Sequence, residues 1–481
     1  MPRGEKMREP PLGLGYDDVL IVPRRSSVTS RRDVSTESPF TSGIRLSVPI
    51  VSANMDTVTT APMAIALAQL GGIGAVHRFL ETPLQVAEVQ QVKRFLHYVV
   101  EDPYTIDIRS TIGRARAESK RRGVTGLLVT DRGHRLLGIL TERDVRAAGD
   151  NDSPIEATMT PRSRLVTAPA DVSLDEARGL MNQHRIEKLP LLDGSDRIAG
   201  LITLRDIELL ERYPHATRDE RGRLQVAAAV GTKGDYMTRA EALIGADADA
   251  LVLDIAHGHA EHAIDAVTSI KKSWPDCQLV AGNVATPGGF QDLAAAGADA
   301  VKVGIGPGFA CTTRLVAGVG IPQFTAVMDC AAVAREMDVP LIADGGIRRA
   351  GDLAKAMAAG ASSVMVGSLF AGRSESPGDV VRREGRTYKV YRGMASRSAA
   401  AARSTSEGKG DSLDQYVPEG EEMEFPLRGP VSEVIEELVG GLRSGMSYVD
   451  ATTIDEFWTN AEFVRQTEAG RQESQPGRPP I

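Results

Sequence analysis

Residues whose type and spacing could do chemistry are sparse in this sequence of 481 residues, and the densest group is GIGPGFACTTR at 304–314. Cys311 is one of only three cysteines. A cysteine is ordinarily a small apolar packing residue. Here glycines on one side keep side chains out of the way of a ligand, while Thr312, Thr313 and Arg314 on the other offer hydroxyls and a guanidinium. A thiol near its ordinary pKa of about 8.5 is a minority thiolate at neutral pH, so a nucleophilic Cys311 needs activation by its loop. Carboxylates close two other apolar runs, Asp254 in ALVLDIA and Asp344 in PLIADGG. A Thr-x-Arg-Asp pattern occurs twice, at Thr141–Asp144 and Thr203–Asp206.

The elements that must position these residues repeat along the chain. Short apolar runs end in Gly, Asn, Asp or Ser: SVPIVSAN (47–54), GGIGAVH (71–77), LQVAAAV (224–230), ALVLDIA (250–256), QLVAGNV (278–284), AVKVGI (300–305), PLIADGG (340–346) and SVMVGS (363–368). Near-continuous apolar strands alternating with Ala-rich helical segments indicate a parallel sheet covered on both faces. Eight such units point to an α/β fold, a closed (β/α)8 TIM barrel with its active site at the carboxyl ends of the strands. Cys311 lies just past the sixth. The alternative, an open doubly wound sheet, lacks the GxGxxG expected at its first strand–helix turn.

Composition agrees and excludes other classes. Forty-two per cent of residues are hydrophobic, with 48 glycines and only 4 % aromatics, a balance suited to Ala/Val/Ile/Gly-built α/β domains. Lys plus Arg number 56 against 64 acids, a net charge of −8, which argues against a nucleic-acid surface. Cys277, Cys311 and Cys330 form no even framework, as expected in a reducing compartment. With no apolar stretch after MPRGEKMREPP and no run of membrane-spanning length, the expectation is a soluble, cytoplasmic protein.

The spacing breaks once, between His77 and Leu224. That interval contains an internal repeat, GVTGLLVTDRGHRLLGILTERDV (123–145) and RIEKLPLLDGSDRIAGLITLRDI (185–207). Each copy reads strand, turn, strand, then Thr-x-Arg-Asp opening a helix. The pair resembles a tandem cystathionine-β-synthase (CBS) module. The expected organisation is a first barrel part (1–97), the CBS module (98–217), a second barrel part with an active-site flap (218–466) and a disordered tail (467–481). The linker ERYPHATRDERGR (211–223) also reads as exposed.

With the barrel and insertion placed, GIGPGFACTTRLVAGVGIPQ resembles the cysteine loop of the IMP dehydrogenase/GMP reductase family. So do SANMDTVTT (52–60), IADGGI (342–347), MVGSLFAG (365–372), YRGMAS (391–396) and GGLRSGMSYV (440–449). The resemblance runs from about Tyr16 to Phe463. It implies that Cys311 attacks the electrophilic C2 of a purine nucleotide to give a covalent adduct. It implies substrate contacts from Asp344 to the ribose, from Gly345, Gly346, Gly367 and Ser368 to the 5′-phosphate, and from Gly393, Met394, Ala395 and Gly408. A cofactor would meet Asp254, Gly304, Ile305 and Gly306, with its far end at Ser444, Gly445, Met446 and Ser447. A monovalent cation, K+, would be held by backbone carbonyls around Gly306, Gly308 and Cys311, with Arg314 beside them. One departure is Phe309, where the family commonly carries a serine that helps hold the phosphate. Phenylalanine cannot donate that hydrogen bond, so the pocket must be arranged differently.

The two family reactions call for different flap residues. Dehydrogenases supply an adjacent Arg-Tyr pair that activates water; reductases use a Thr–Glu pair, with Glu in a Ser-Glu-Gly-Lys context. Segment 396–422, SRSAAAARSTSEGKGDSLDQYVPEGEE, has no Arg-Tyr dipeptide but contains SEGK with Glu407. DIAHGHA resembles the reductase form, whereas GVGIPQ, VGSLFAG, VPEGEE and the CBS insertion resemble the dehydrogenases. Weighing catalytic residues above the body, the sequence is most similar to CBS-containing bacterial GMP reductases, in purine salvage. On that reading Cys311, Thr313 and Glu407 are catalytic, NADPH reduces GMP to IMP with loss of ammonia, and the protein is a homotetramer that can pair into octamers. IMP dehydrogenase with NAD is the alternative, and a nucleotide-sensing CBS protein with an inactive barrel the second. In the CBS pair, Thr141, Asp144, Thr203 and Asp206 would bind a regulatory purine nucleotide allosterically, unless Thr and Asp merely cap their helices.

Overall fold

A computed structural model describes residues 10–95, 100, 103–406 and 417–474, excepting the side chains of 174, 206, 209–210 and 402–406. The chain divides into two compact units, one formed by Met1–Phe95, His215–Glu220 and Leu224–Ile481, the other by Leu96–Pro214 and Arg221–Arg223.

The first unit is a closed barrel of eight parallel strands: Ile50–Ser52, Ile73–Val76, Ala227–Val230, Ala250–Leu253, Gln278–Val284, Ala300–Val303, Leu341–Asp344 and Ser363–Val366. Closure comes from the eighth strand pairing with the first, Val364 opposite Ile50 and Val366 opposite Ser52. The eight apolar runs are these strands. They read as continuous apolar stretches because a barrel strand is covered by helices outside and by its own interior layers inside. Ala75, Ala227, Ala250 and Ala300 keep that interior narrow, and Val51, Val252, Val280, Ile342 and Met365 fill it. At the amino end a hairpin, Ser38–Thr41 with Ile44–Leu46, packs Phe40, Ile44 and Leu46 into the same core. Thr41 and Gly43 bond Gln278 Oε1 at 2.6 and 2.9 Å, and Ser42 N–H donates to Asp299 O at 3.0 Å, so the plug is tied where strands five and six begin. The opposite, carboxyl end is thereby left for the site.

The second unit repeats helix–strand–strand–helix: Ile112–Arg122, Gly126–Thr130, Leu136–Thr141 and Glu142–Ala147, then Leu174–His184, Lys188–Leu192, Ile198–Thr203 and Leu204–Arg212. Each copy has its own core, around Leu127, Val129 and Leu140 in one and Leu189, Leu191 and Ile202 in the other. Leu128, Ile139, Leu192 and Leu201 join the two halves.

Two segments that read as exposed are anchored. In the linker, Thr217 is buried, its N–H donates to Ala68 O at 2.8 Å, and Asp219 meets the buried Lys93 at 2.9 Å. At the carboxyl terminus, Phe463–Arg465 pairs antiparallel with Val19–Ile21, and Thr467 caps a helix over Glu468–Glu473. Polar composition marked 211–223 and the tail from 467 as loose; long-range bonds at Thr217 and Asp219, and the strand pairing just before the tail, were invisible to composition.

Candidate active site

Cys311 sits between the sixth strand and the short helix Thr313–Val316. The chain can turn there because Gly304 and Gly306 adopt positive φ, 152° and 84°. At Gly304 a Cβ would lie 2.1 Å from Asp344 O, so only glycine lets the ends of strands six and seven approach this closely.

Cys311 Sγ is 3.3 Å from Thr313 Oγ1, which donates to Glu419 Oε2 at 2.7 Å. Backbone bonds hold Glu419 in place. Thr312 N–H donates to Glu419 O (3.0 Å), Glu421 N–H to Ala310 O (2.9 Å) and Glu419 N–H to Ala395 O (3.0 Å), and Cys311 forms a bridge with Gly420. The cysteine loop, the 393–396 loop and the 417–421 segment therefore form one backbone-bonded cluster. Arg392, whose guanidinium binds Asp56 Oδ2, ties it to the SANMD loop after the first strand. The sequence reading paired Thr313 with Glu407, which lies outside the described residues, as does Gly408. The described partner of Thr313 is Glu419, in VPEGEE, 106 positions away from it.

The relay opens on a cavity of about 290 Å3 lined by Gly304, Ile305, Gly306, Gly308, Gly393, Met394, Ala395 and Glu419. At its far side Asp254, just past the fourth strand, is paired with Arg78 at 2.9 Å, and the Arg78 guanidinium lies 5.1 Å from the centre of the Phe79 ring. Deeper in, Asp344 Oδ2 accepts from Lys302 Nζ (2.7 Å) and Asn283 Nδ2 (2.8 Å); Lys302 is only 5 % exposed. Arg78, Asn283 and Lys302 were missed from sequence, although Lys302 inside the apolar AVKVGI run was a visible signal. A charged residue in a barrel interior needs a partner, and Asp344 is that partner.

A second cavity, about 360 Å3, shares Asp344, Gly345, Gly308 and Tyr391 with the first and continues past Gly346, Gly367 and Ser368. Gly345 and Gly346 adopt φ of 94° and 81°. Phe309, 55 % exposed, lies in its wall with its ring edge-on to Phe425 at 5.7 Å, and Phe425 in turn meets Tyr391 at 5.4 Å. Burial pushes the Tyr391 phenol above its usual range, so it stays protonated.

Three further expectations about the site can be set against the geometry. Ser444, Gly445, Met446 and Ser447 lie in the helix Val431–Tyr448, where Met446 is fully buried and a Cβ on Gly445 would meet Ala354 at 3.2 Å, and none of the four lines either of these two cavities. For the cation, Gly308 O already accepts the Cys311 N–H, and the Arg314 side chain packs against Gly306 and donates to Ile305 O and Ile321 O. The Arg314 guanidinium thus brings a fixed positive charge beside the carbonyls expected to hold K+. In the inserted unit, Asp144 Oδ2 accepts from Thr141 N–H (2.8 Å) and Oγ1 (2.7 Å), a reciprocal helix cap. Asp206 lies among the side chains outside the description, and Thr203 ends its strand at the equivalent position.

A profile described as the IMP dehydrogenase / GMP reductase domain matches residues 13–477. The chain belongs to this family. Among curated relatives, an inosine-5′-monophosphate dehydrogenase of Nitrosopumilus maritimus is 49 % identical over 468 residues, covering 96 % of this chain and 98 % of the relative. One of Helicobacter pylori is also 49 % identical, over 463 residues, 96 % of this chain and 95 % of the relative. Among solved structures, a cysteine-to-alanine variant of Trypanosoma brucei GMP reductase in complex with guanosine 5′-monophosphate superposes with a TM-score of 0.92 at 42 % identity, covering 98 % of each chain. The family is that of purine-nucleotide oxidoreductases using a nicotinamide cofactor, and both of its reactions appear among these relatives. No described helix is long and apolar enough to cross a membrane.

Proposed function

We propose that this chain is an NADPH-dependent GMP reductase, converting GMP to IMP and ammonia. The observation that carries the reading is a flap sequence that lacks the Arg-Tyr pair needed to activate water, and the Cys311–Thr313–Glu419 contacts supply the thiol and a path for its proton. Cys311 Sγ attacks C2 of the guanine ring, and the exocyclic amine is a poor leaving group until it is protonated. As Sγ bonds C2 the thiol proton passes through Thr313 Oγ1 to the Glu419 carboxylate, which returns it by the same hydroxyl to the amine; the C2–N bond breaks, ammonia departs and C2 stays bonded to sulfur. NADPH supplies the hydride to C2 when bound beside the adduct. Asp254 and Arg78 frame the cofactor's end of the cavity, and Phe79 and Ile255 give a flat ring an apolar wall there. The C2–S bond then breaks, IMP leaves and the thiol is restored. Asp344, fixed by Lys302 and Asn283, receives the ribose hydroxyls, and the loops carrying Gly345, Gly346, Gly367 and Ser368 receive the 5′-phosphate. No step is routed through a metal.

The dehydrogenase names of the relatives reflect likeness along the whole body, whereas the reaction is decided by the groups around C2. The solved GMP complex of the T. brucei reductase is consistent with a guanine nucleotide in this barrel. A two-direction assay tests the reading. GMP plus NADPH should consume reduced cofactor with one ammonia per turnover, and IMP plus NAD+ should give little XMP. Robust XMP formation would make the protein a dehydrogenase.

A further inference from the structure

We infer that Arg471, on the carboxyl-terminal helix, binds the nucleotide's 5′-phosphate and replaces the hydrogen bond that Phe309 cannot make. The inference rests on reading the cavity around Gly346, Gly367 and Ser368 as the phosphate site.

Three guanidinium groups line that cavity, those of Arg314, Arg348 and Arg471. Two are committed to the fold: Arg314 donates to the carbonyls of Ile305 and Ile321, and Arg348 binds Asp17 at 2.5 Å. Arg471 differs. Its ion pair is with Glu468, one turn back on the same helix at 2.5 Å, and both side chains are well exposed, 43 % and 62 %. An exposed pair of this kind contributes little and exchanges readily for a better anion. A phosphate is such an anion, because a planar guanidinium can grip two of its oxygens at once.

The tail is held at this rim rather than draped over it. Val464 pairs with Leu20, Gln466 N–H donates to Asp18 O at 3.0 Å, and Gln466 Nε2 donates to Asp17 O at 2.7 Å. Asp17 and Asp18 themselves line the cavity, so these bonds set the helix that carries Arg471 against its mouth. Phe309 also lines this cavity, an aromatic side chain with no donor to offer.

The test measures calorimetric binding of GMP, IMP and guanosine to the full chain and to Arg471→Ala, Arg471→Lys and Glu468→Gln. Arg471→Ala should weaken GMP and IMP alike by roughly tenfold or more, the value of a charge-assisted hydrogen bond, and leave guanosine unchanged. Arg471→Lys should fall between, since it keeps the charge and loses the fork. Glu468→Gln should bind GMP at least as well as the parent, because it removes the competing carboxylate. Unchanged GMP affinity in Arg471→Ala, an equal loss for guanosine, or a loss in Glu468→Gln matching that of Arg471→Ala would overturn the inference; the last two would make Arg471 a tail-docking residue. GMP and IMP carry the same phosphate, so the result does not depend on which reaction the enzyme runs. A parent protein that bound neither would sink the nucleotide reading and this inference together.

Discussion

Asp344 closes the seventh barrel strand and Asp144 sits in the first turn of the helix after Thr141, and the two carboxylates are put to opposite uses. Asp344 takes its hydrogen bonds from Lys302 and Asn283, 42 and 61 positions away, through Oδ2, and Oδ1 has no partner among the described residues. Asp144 takes both of its bonds from Thr141, three positions away, closing its own helix. A carboxylate satisfied locally is doing the work of the fold. One fixed from afar by side chains that also line a cavity is oriented toward a ligand. Glu419 belongs with Asp344: its hydroxyl partner is 106 positions away and faces the thiol.

The contrast can be broken at several points, and the largest effect is expected at the thiol. Cys311→Ala removes the bond-forming atom but few binding contacts, so turnover should fall to background while titration calorimetry still detects GMP. Measurable turnover in that variant would rule out a covalent route.

Next is the pH dependence of the barrel. Burial, the main cause, pushes the His77 imidazole down from its usual 6.5 to about 4; Asp56 opposes the shift and Arg392 adds to it. The folded barrel therefore holds His77 neutral where the unfolded chain would protonate it. Stability is fully present above about pH 6.5 and is lost as the pH falls toward 4, by on the order of 3 kcal/mol from this group. Thermal unfolding across that window should show the fall, and His77→Gln should flatten it. An unchanged slope in His77→Gln would assign the acid sensitivity to other groups.

The smallest effect sharpens the comparison from the other side. Asp144→Ala should cost about 1 kcal/mol, the value of a helix cap, read as a lower unfolding midpoint of the inserted unit. GMP turnover without added effector should not change. A loss of several kcal/mol, or of basal turnover, would show that Asp144 does more than cap.

The sequence was most legible where the physics is local and periodic. Eight apolar runs became eight barrel strands because burial on both faces leaves a strand few polar positions. Cys311, Thr313, Asp254 and Asp344 were picked out because each lies at or just past the end of such a run, and all four line one cavity. Glu419 was passed over because VPEGEE was read only as a dehydrogenase-like stretch; the Thr312 N–H, the Ala395 carbonyl and the neighbouring Glu421–Ala310 bond hold it against the cysteine loop. Lys302 was passed over as part of an apolar run. Thr141–Asp144 could be read either as a cap or as a ribose contact, since both need an oxygen at that spacing. The tail from 467 read as disordered because the pairing that fixes the strand just before it, Phe463–Arg465 with Val19–Ile21, joins segments far apart in the sequence.

The central claim is that the proton for deamination travels through Glu419, a carboxylate fixed from afar, and it is tested by ammonia release from GMP in Glu419→Gln and Glu407→Gln. Glutamine keeps the shape and hydrogen bonding of glutamate but cannot shuttle a proton. Glu419→Gln should release ammonia roughly 10²–10⁴-fold more slowly, the usual contribution of a positioned acid, while Glu407→Gln stays close to the parent. A collapse in Glu407→Gln with Glu419→Gln near the parent rate would contradict the account.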